Sequence, residues 1–405
     1  ALGHAQEMMR LPFDPRSVEG EIEALRAALR PPEGGRRKTE SGPEHEAQAF
    51  GQALFDSLFR GDVRTLYNAS SYQAAEEGKL LRLELSIEPQ ELASLPWESL
   101  YDAQRAEYLC PTTPLVRYVA LLESNLPPIT TPPLRILGMI ANPDGGATPS
   151  AEDEKKWLEE ATSHLQALEL VEVGWVEGQS ARALVGALAE KEWHAFHFIG
   201  DGGLDQNTGE GFVIVDDDAG QNRRLSATQL RWLLSKCDSL RLVWLSACAG
   251  ALGARPDRFT NTAALLVQKG IPAVLSAQLG ANSPATETFT EAFYAALAAS
   301  MPLDLAVTKG RMAIQTEQGD TPAWSAPVLH AHSPGLQLYE RQAVMDAAQH
   351  RGEDALSADD FFRALTQYTL AVEMGAGPEV QEQRDLAKAA SRAVEAAELA
   401  LNEPD

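Results

Sequence analysis

Basic residues are scarce in this 405-residue chain: 34 Lys and Arg stand against 58 Asp and Glu, a formal net charge of −24. Such a surface repels nucleic-acid phosphates, which disfavours direct DNA or RNA binding. It fits a soluble acidic protein and would attract basic partners or substrates. Apolar content of 44% and charged content of 23% are those of a globular chain rather than a disordered one. Cysteine is scarcer still, with only Cys110, Cys237 and Cys248. An odd, sparse set argues against a disulfide framework and for a reducing compartment. There is no CxxC pair and no His/Cys/Asp set with metal spacing, so no metal and no cofactor is expected. No apolar run approaches the roughly eighteen residues that read as a membrane span. The first residues, "ALGHAQEMMRLPFDP", lack the basic flank and apolar stretch of a secretory signal. They also lack an initiator Met, which fits a processed fragment. A cytoplasmic location is expected.

What is present falls into three parts. Residues 1–133 read as helices, a strand and a mobile Pro/Gly loop, "RPPEGGRRKTESGPEHE" (30–46), with a helix "SVEGEIEALRAALR" before it. "LLRLELSI" (80–87) alternates as a strand does. From residue 134 to 340, apolar strands alternate with helices of ten to fifteen residues. The strands are "LRILGMIA" (134–141), "LELVEVGWV" (168–176), "WHAFHFIG" (193–200), "LRLVWLSAC" (240–248), "IPAVLSAQ" and "APVLHAH" (326–332). The helix at 150–168 has Ser150 as its cap and acidic residues in its first turn. "GFVIVDD" and "NRRLS" read as a short hairpin. This alternation predicts parallel βαβ units covered on both faces. In such folds chemistry sits beyond the carboxyl ends of the strands, where strand order reverses. The alanine-rich tail, 341–405, reads as a helical hairpin, either a cap docked on the sheet or the start of a helical repeat.

Two strand ends carry candidate chemistry. One is the "GDGG" turn, Gly200 to Gly203. The other is Cys248 in "LSACAGALG". A thiol among small residues lets a substrate backbone approach closely, although most free cysteines are buried hydrophobes. The glycine turn leads into no helix, which disfavours a nucleotide or small-molecule sensor; its N–H groups, Gly202 among them, could instead stabilise an oxyanion. Asp201 also suits a plain turn. His194 and His197 lie three apart on a strand and so face opposite ways. His330 and His332 share a face, a weak metal-like pair. All four read as packed histidines.

"WHAFHFIGDGG", "LRLVWLSACAGALG", "KGIPAVLSAQLG" and "ATETFTEAFYAALAASMPLDLAVTKGRMAI" closely resemble the CHAT family of caspase-like peptidases. The upstream "LRLELSIEPQELASLPWESLYD" resembles the region preceding the sheet in that family. The resemblance covers roughly residues 50–340. It implies a three-layer caspase-like α/β sandwich with a mostly parallel central sheet, plus an N-terminal α/β extension and the C-terminal helical hairpin. It further implies a His–Cys dyad that hydrolyses peptide bonds, and a prokaryotic role in defence or signalling. The partner would be a protein substrate, with a helical-repeat or sensor partner engaged through 341–405. Cys248 matches the nucleophile position. The family's turn reads His-Phe-x-Gly-His-Gly; here His197 matches the first histidine and Asp201 occupies the place of the second, catalytic one.

Imidazole can take the thiol proton and return it to the leaving amine. A carboxylate disfavours the thiolate and, ionised, has no proton to give. Three origins fit Asp201: a natural pseudopeptidase, a deliberate substitution that traps a complex, or rescue by His197. By the same resemblance, acidic groups after the first strand and near the fourth line the pocket of members that prefer a basic side chain. Asn142 and Asp144 follow the first strand here, and Ser246 precedes Cys248.

Overall fold

The computed structural model describes the chain apart from residues 1–2, 15–19, 21–41, 89, 122–130, 142–150, 206, 218–219, 248–259, 278–282, 319–321, 334, 339 and 403–405. The helix expected before residue 31, most of the loop at 30–46, and Ser150 therefore lie outside the described residues. Residues 42–46, read from sequence as loop, belong to a helix.

Two helices, α1 (Gly42–Leu58) and α2 (Gly61–Glu76), come first. A short strand β1 (Leu83–Leu85), helix α3 (Gln90–Ala93) and a small ribbon of β2 (Tyr101–Asp102) and β3 (Glu107–Tyr108) follow, then β4 (Leu115–Tyr118). The alternating region begins with β5 (Leu134–Ala141), α4 (Ala151–Ala167), β6 (Val171–Trp175), α5 (Ala181–Glu190) and β7 (Ala195–Gly200). The excursion after β7 holds β8 (Gly202–Leu204), β9 (Gly211–Asp216) and β10 (Asn222–Ser226), leading into α6 (Ala227–Leu234). The region closes with β11 (Leu242–Ala247), α7 (Thr260–Gln268), β12 (Ala273–Ala277), α8 (Ser283–Ala298), α9 (Leu303–Gln318) and β13 (Pro327–Ala331). The tail is α10 (Arg341–Ser357), α11 (Phe361–Glu373) and α12 (Pro378–Asn402).

Eight strands form one sheet in the order β1-β4-β13-β12-β11-β7-β5-β6. All neighbours are parallel except β12 and β13. The expected three-layer, mostly parallel α/β sandwich is what the chain adopts. Alternation sorts the strand side chains onto two buried faces. Ile136, Ala195, Leu242, Trp244 and Leu275 pack with α4, α8 and α9. Leu137, Met139, Phe196, Phe198, Val243, Leu245 and Val274 pack with α5, α6 and α7. Both faces being covered explains why the strands read as continuous apolar runs.

Strands β1 and β4, upstream of residue 134, extend this sheet beyond β13. The expected hairpin of β9 and β10 is antiparallel, and β8 adds a third strand to it where sequence suggested loop. The C-terminal hairpin of α11 and α12 is preceded by α10, a helix not foreseen. These helices dock on the sheet unit: Arg363 pairs with Glu169 at 2.7 Å, and Gln367 Nε2 donates to the Leu168 carbonyl.

Candidate active site at the carboxyl rim of the sheet

Neighbouring strands β5 and β7 send their connections in opposite directions. β5 leads to β6 at one edge, and β7 leads towards β11 and β12. The strand order therefore reverses between them, where parallel α/β sheets place their ligands. At that reversal Gly200 pairs with both Ala141 and Ala247. A side chain at 200 would collide with the Ala141 carbonyl oxygen and the Phe198 ring, so glycine is needed for the close approach of the strands.

Asp201 follows Gly200 and is half-buried. Its carbonyl accepts from Ile214 N–H at 2.8 Å, which ties the turn to β9. Gly202 opens β8 and pairs with Val213. On the neighbouring strand, Ala247 is the last described residue; Cys248, next in the chain, lies outside the described residues, as do Asn142 and Asp144. The register brings the residues before 201 and 248 together as a direct pair on strands roughly 4.8 Å apart.

Ser246 is buried, and its hydroxyl donates to Glu154 Oε2 at 2.6 Å. Glu154 is the polar residue that sequence reasoning missed. It was one of several first-turn acids, yet it is only 6% exposed, and burial pushes its carboxyl up to about 7 against the pull of the Ser246 hydrogen bond. A signal was available. Glu154 stands four residues before Leu158, on the stripe that continues to Leu165, and both leucines are buried.

The four histidines on the strands and at their ends, His194, His197, His330 and His332, are packed groups. His197 stacks on Trp244 at 4.3 Å with a 10° interplanar angle, and Tyr294 Oη lies 3.5 Å from its Nδ1. Burial pushes its imidazole down to about 3. It sits within β7, below the rim. His194 Nδ1 accepts from Arg135 N–H at 3.0 Å, and burial lowers its imidazole to about 4, helped by Arg135 and Arg241. His330 is buried and lowered to about 3. Among the described residues no group of three or more His, Cys, Asp or Glu is arranged to hold a metal, and no helix is long and apolar enough to cross a membrane. Cys110 is buried, and loss of hydration pushes its thiol up to about 12; Cys237 is also buried, with its Sγ 3.3 Å from the Trp193 carbonyl.

A three-layer α/β sandwich with candidate groups at the rim of a strand-order reversal is the class these features define. The chain belongs to the CHAT domain family, whose model matches residues 48–372. No curated protein sequence matches it. Similar solved structures include two of the Saccharomyces cerevisiae separase–securin complex. One matches with a TM-score of 0.32 at 19% identity, covering 59% of this chain and 14% of the other. The second matches with a TM-score of 0.38 at 16% identity, covering 77% and 20%. The Drosophila initiator caspase Dronc matches with a TM-score of 0.33 at 13% identity, covering 52% of this chain and 85% of the other. This chain therefore spans no more than a fifth of the matched chains from the separase–securin complex.

Proposed function

We propose that the chain is a CHAT-type caspase-like cysteine endopeptidase scaffold acting on a protein partner, with its proton shuttle missing. Cys248 holds the nucleophile position, Asp201 the position of the base, and Gly202 offers a backbone N–H to the oxyanion. One observation carries this reading: Ala247 pairs with Gly200, so the candidate thiol and the candidate base position each follow a member of one cross-strand pair. Asn142 and Asp144 after β5 would line the pocket for the substrate side chain; Ser246, buried with its hydroxyl donated to Glu154, would support that rim from within.

In the active arrangement an imidazole takes the Cys248 proton, the thiolate attacks the scissile carbonyl, and the imidazolium protonates the leaving amine. Water then releases the acyl group from sulfur. A carboxylate at 201 destabilises the thiolate and supplies no proton to the amine. Loss of such a group costs about 10²–10⁴-fold in rate. Residues 134–340 would carry this chemistry, 1–133 would extend the sheet, and 341–405 would dock a sensor or helical-repeat partner. The same substitution favours a second reading, a pseudopeptidase that keeps the cleft to bind a peptide segment without cutting it.

The test is cleavage of candidate protein partners by the chain carrying Asp201, by Asp201→His, and by Asp201→His combined with Cys248→Ala. The peptidase reading expects cleavage in the single variant at least about 10²-fold faster than with Asp201, and none without Cys248. Equal rates for the Asp201 chain and Asp201→His contradict the assignment of position 201. Binding without cleavage in every variant favours the pseudopeptidase.

A further inference from the structure

The outer face of α6 lies on the α5/α6/α7 side of the sheet. The helix starts cleanly: Ser226 Oγ accepts from Gln229 N–H while Gln229 Oε1 accepts from Ser226 N–H, a reciprocal cap. Ala227, Leu230, Leu233 and Leu234 are buried beneath it. The helical period therefore turns Thr228 and Trp232 outward, and Lys236, just past the helix end, is exposed beside them. Trp232 is 61% exposed, whereas the other six tryptophans are buried or half-buried. Lys236 Nζ sits 4.6 Å from its ring centroid. Tryptophan, with Tyr and Arg, is among the residue types enriched at the energetic anchors of protein interfaces.

The charge around it runs against the rest of the chain. Residues 222–241 hold five basic residues and one acidic residue, in a protein whose acids outnumber bases 58 to 34. Lys269 adds a further cation, and Arg231 Nε donates to its carbonyl at 2.5 Å. Elsewhere Arg64, Arg82, Arg117, Lys191 and Arg363 are held by carboxylates. Here the contacts are of another kind: Arg231 meets a carbonyl, Lys236 an indole, and Arg224 the Phe212 ring at 4.7 Å. None of these three lies within 4 Å of a carboxylate among the described residues, although Arg224 is near enough to Asp205 to help the Asn207 N–H lower its carboxyl, and Glu210 accepts from Thr228 N–H at the start of the helix.

We propose that this face, centred on Trp232 and ringed by Arg231, Lys236 and Lys269, docks an acidic protein segment that carries an apolar anchor. The anchor covers the indole, and the segment's carboxylates pair with the unmatched cations. A net charge of −24 repels an extended polyanion such as nucleic acid. Screening over about 8 Å leaves the local positive strip effective for a short segment in contact.

The test is fluorescence anisotropy of a labelled peptide of alternating Glu and Leu or Phe, against the full chain and its variants. Controls are a peptide with Ser for the apolar residues and a single-stranded oligonucleotide of equal charge. Binding should weaken at least tenfold in Trp232→Ala and in Lys236→Glu, fall with added salt, and vanish for the Ser peptide. Circular dichroism checks folding, and Lys236→Gln serves should the charge reversal fail to fold. The proposal is overturned by binding that neither variant changes, by tighter binding of the oligonucleotide, or by no binding of the Glu/Leu/Phe peptide. Sedimentation showing that a second copy of this chain covers the face overturns it too.

Discussion

Glu154 offers the sharpest physical test of the rim. Its carboxyl is buried, accepts one hydrogen bond from Ser246, and is raised from 4.5 to about 7 by lost hydration. In the unfolded chain it ionises near its ordinary value. As pH climbs from about 4.5 to 7, the unfolded state gives up this proton before the folded state does, so stability falls with pH. Above about 7 the folded state carries the full cost of a buried charge. Raising the carboxyl from 4.5 to about 7 corresponds to about 3 kcal/mol, at about 1.4 kcal/mol for each tenfold change in proton affinity. Glu154→Gln keeps an acceptor for the Ser246 hydroxyl and abolishes the titration. Urea unfolding of both proteins at pH 4.5 and at pH 8 should show the Glu154 protein losing about 3 kcal/mol relative to the variant over that interval. If the two proteins keep a constant difference in stability, the carboxyl is hydrated and the buried rim pair is refuted.

Buried neutral histidines work in the opposite direction: with imidazoles lowered to about 3, as for His197, stability is lost as pH falls from 6.5 towards 3. His197→Phe, which keeps a ring against Trp244, should flatten the pH dependence of stability by about 1.4 kcal/mol per pH unit in that window, measured by urea unfolding. An unchanged slope would show that His197 is hydrated. Arg117 and Glu98 form a buried bidentate pair, with Nε–Oε1 at 3.0 Å and Nη2–Oε2 at 2.6 Å. Arg117→Met removes the bidentate partner of the buried Glu98, with Arg311 the remaining cation near it, and should cost about 3–5 kcal/mol by denaturant unfolding. A loss below about 1 kcal/mol would mean that water reaches Glu98.

The alternating core of the fold was legible because β5, β7 and β11 are covered on both faces and their sequences show it. The edge was legible only in part. The alternation of "LLRLELSI" marked β1, whereas β4 has four residues, too few for periodicity to register. Moreover, β4 joins the sheet through β13, some two hundred residues away. Helix α10 escaped for a different reason. Its buried positions include Ala348, Gly352 and Ala355, small residues that leave no bulky stripe. They are small because α11 lies against them; a Cβ on Gly352 would stand 2.8 Å from the Tyr368 ring. At the rim, "GDGG" and "LSAC" flagged the two strand ends, whereas Glu154 was hidden among the acids of a helix start, where negative charge is ordinarily explained by the dipole.

The most direct measurement is the pH dependence of Cys248 alkylation by iodoacetamide, with Cys110 and Cys237 replaced by Ser. With Asp201 in place, reaction should begin only above about pH 8.5, the range of an ordinary or raised thiol. Asp201→His should bring the onset down towards neutral pH and speed labelling at pH 7 at least tenfold. Profiles that superimpose would show that residues 201 and 248 do not share a site.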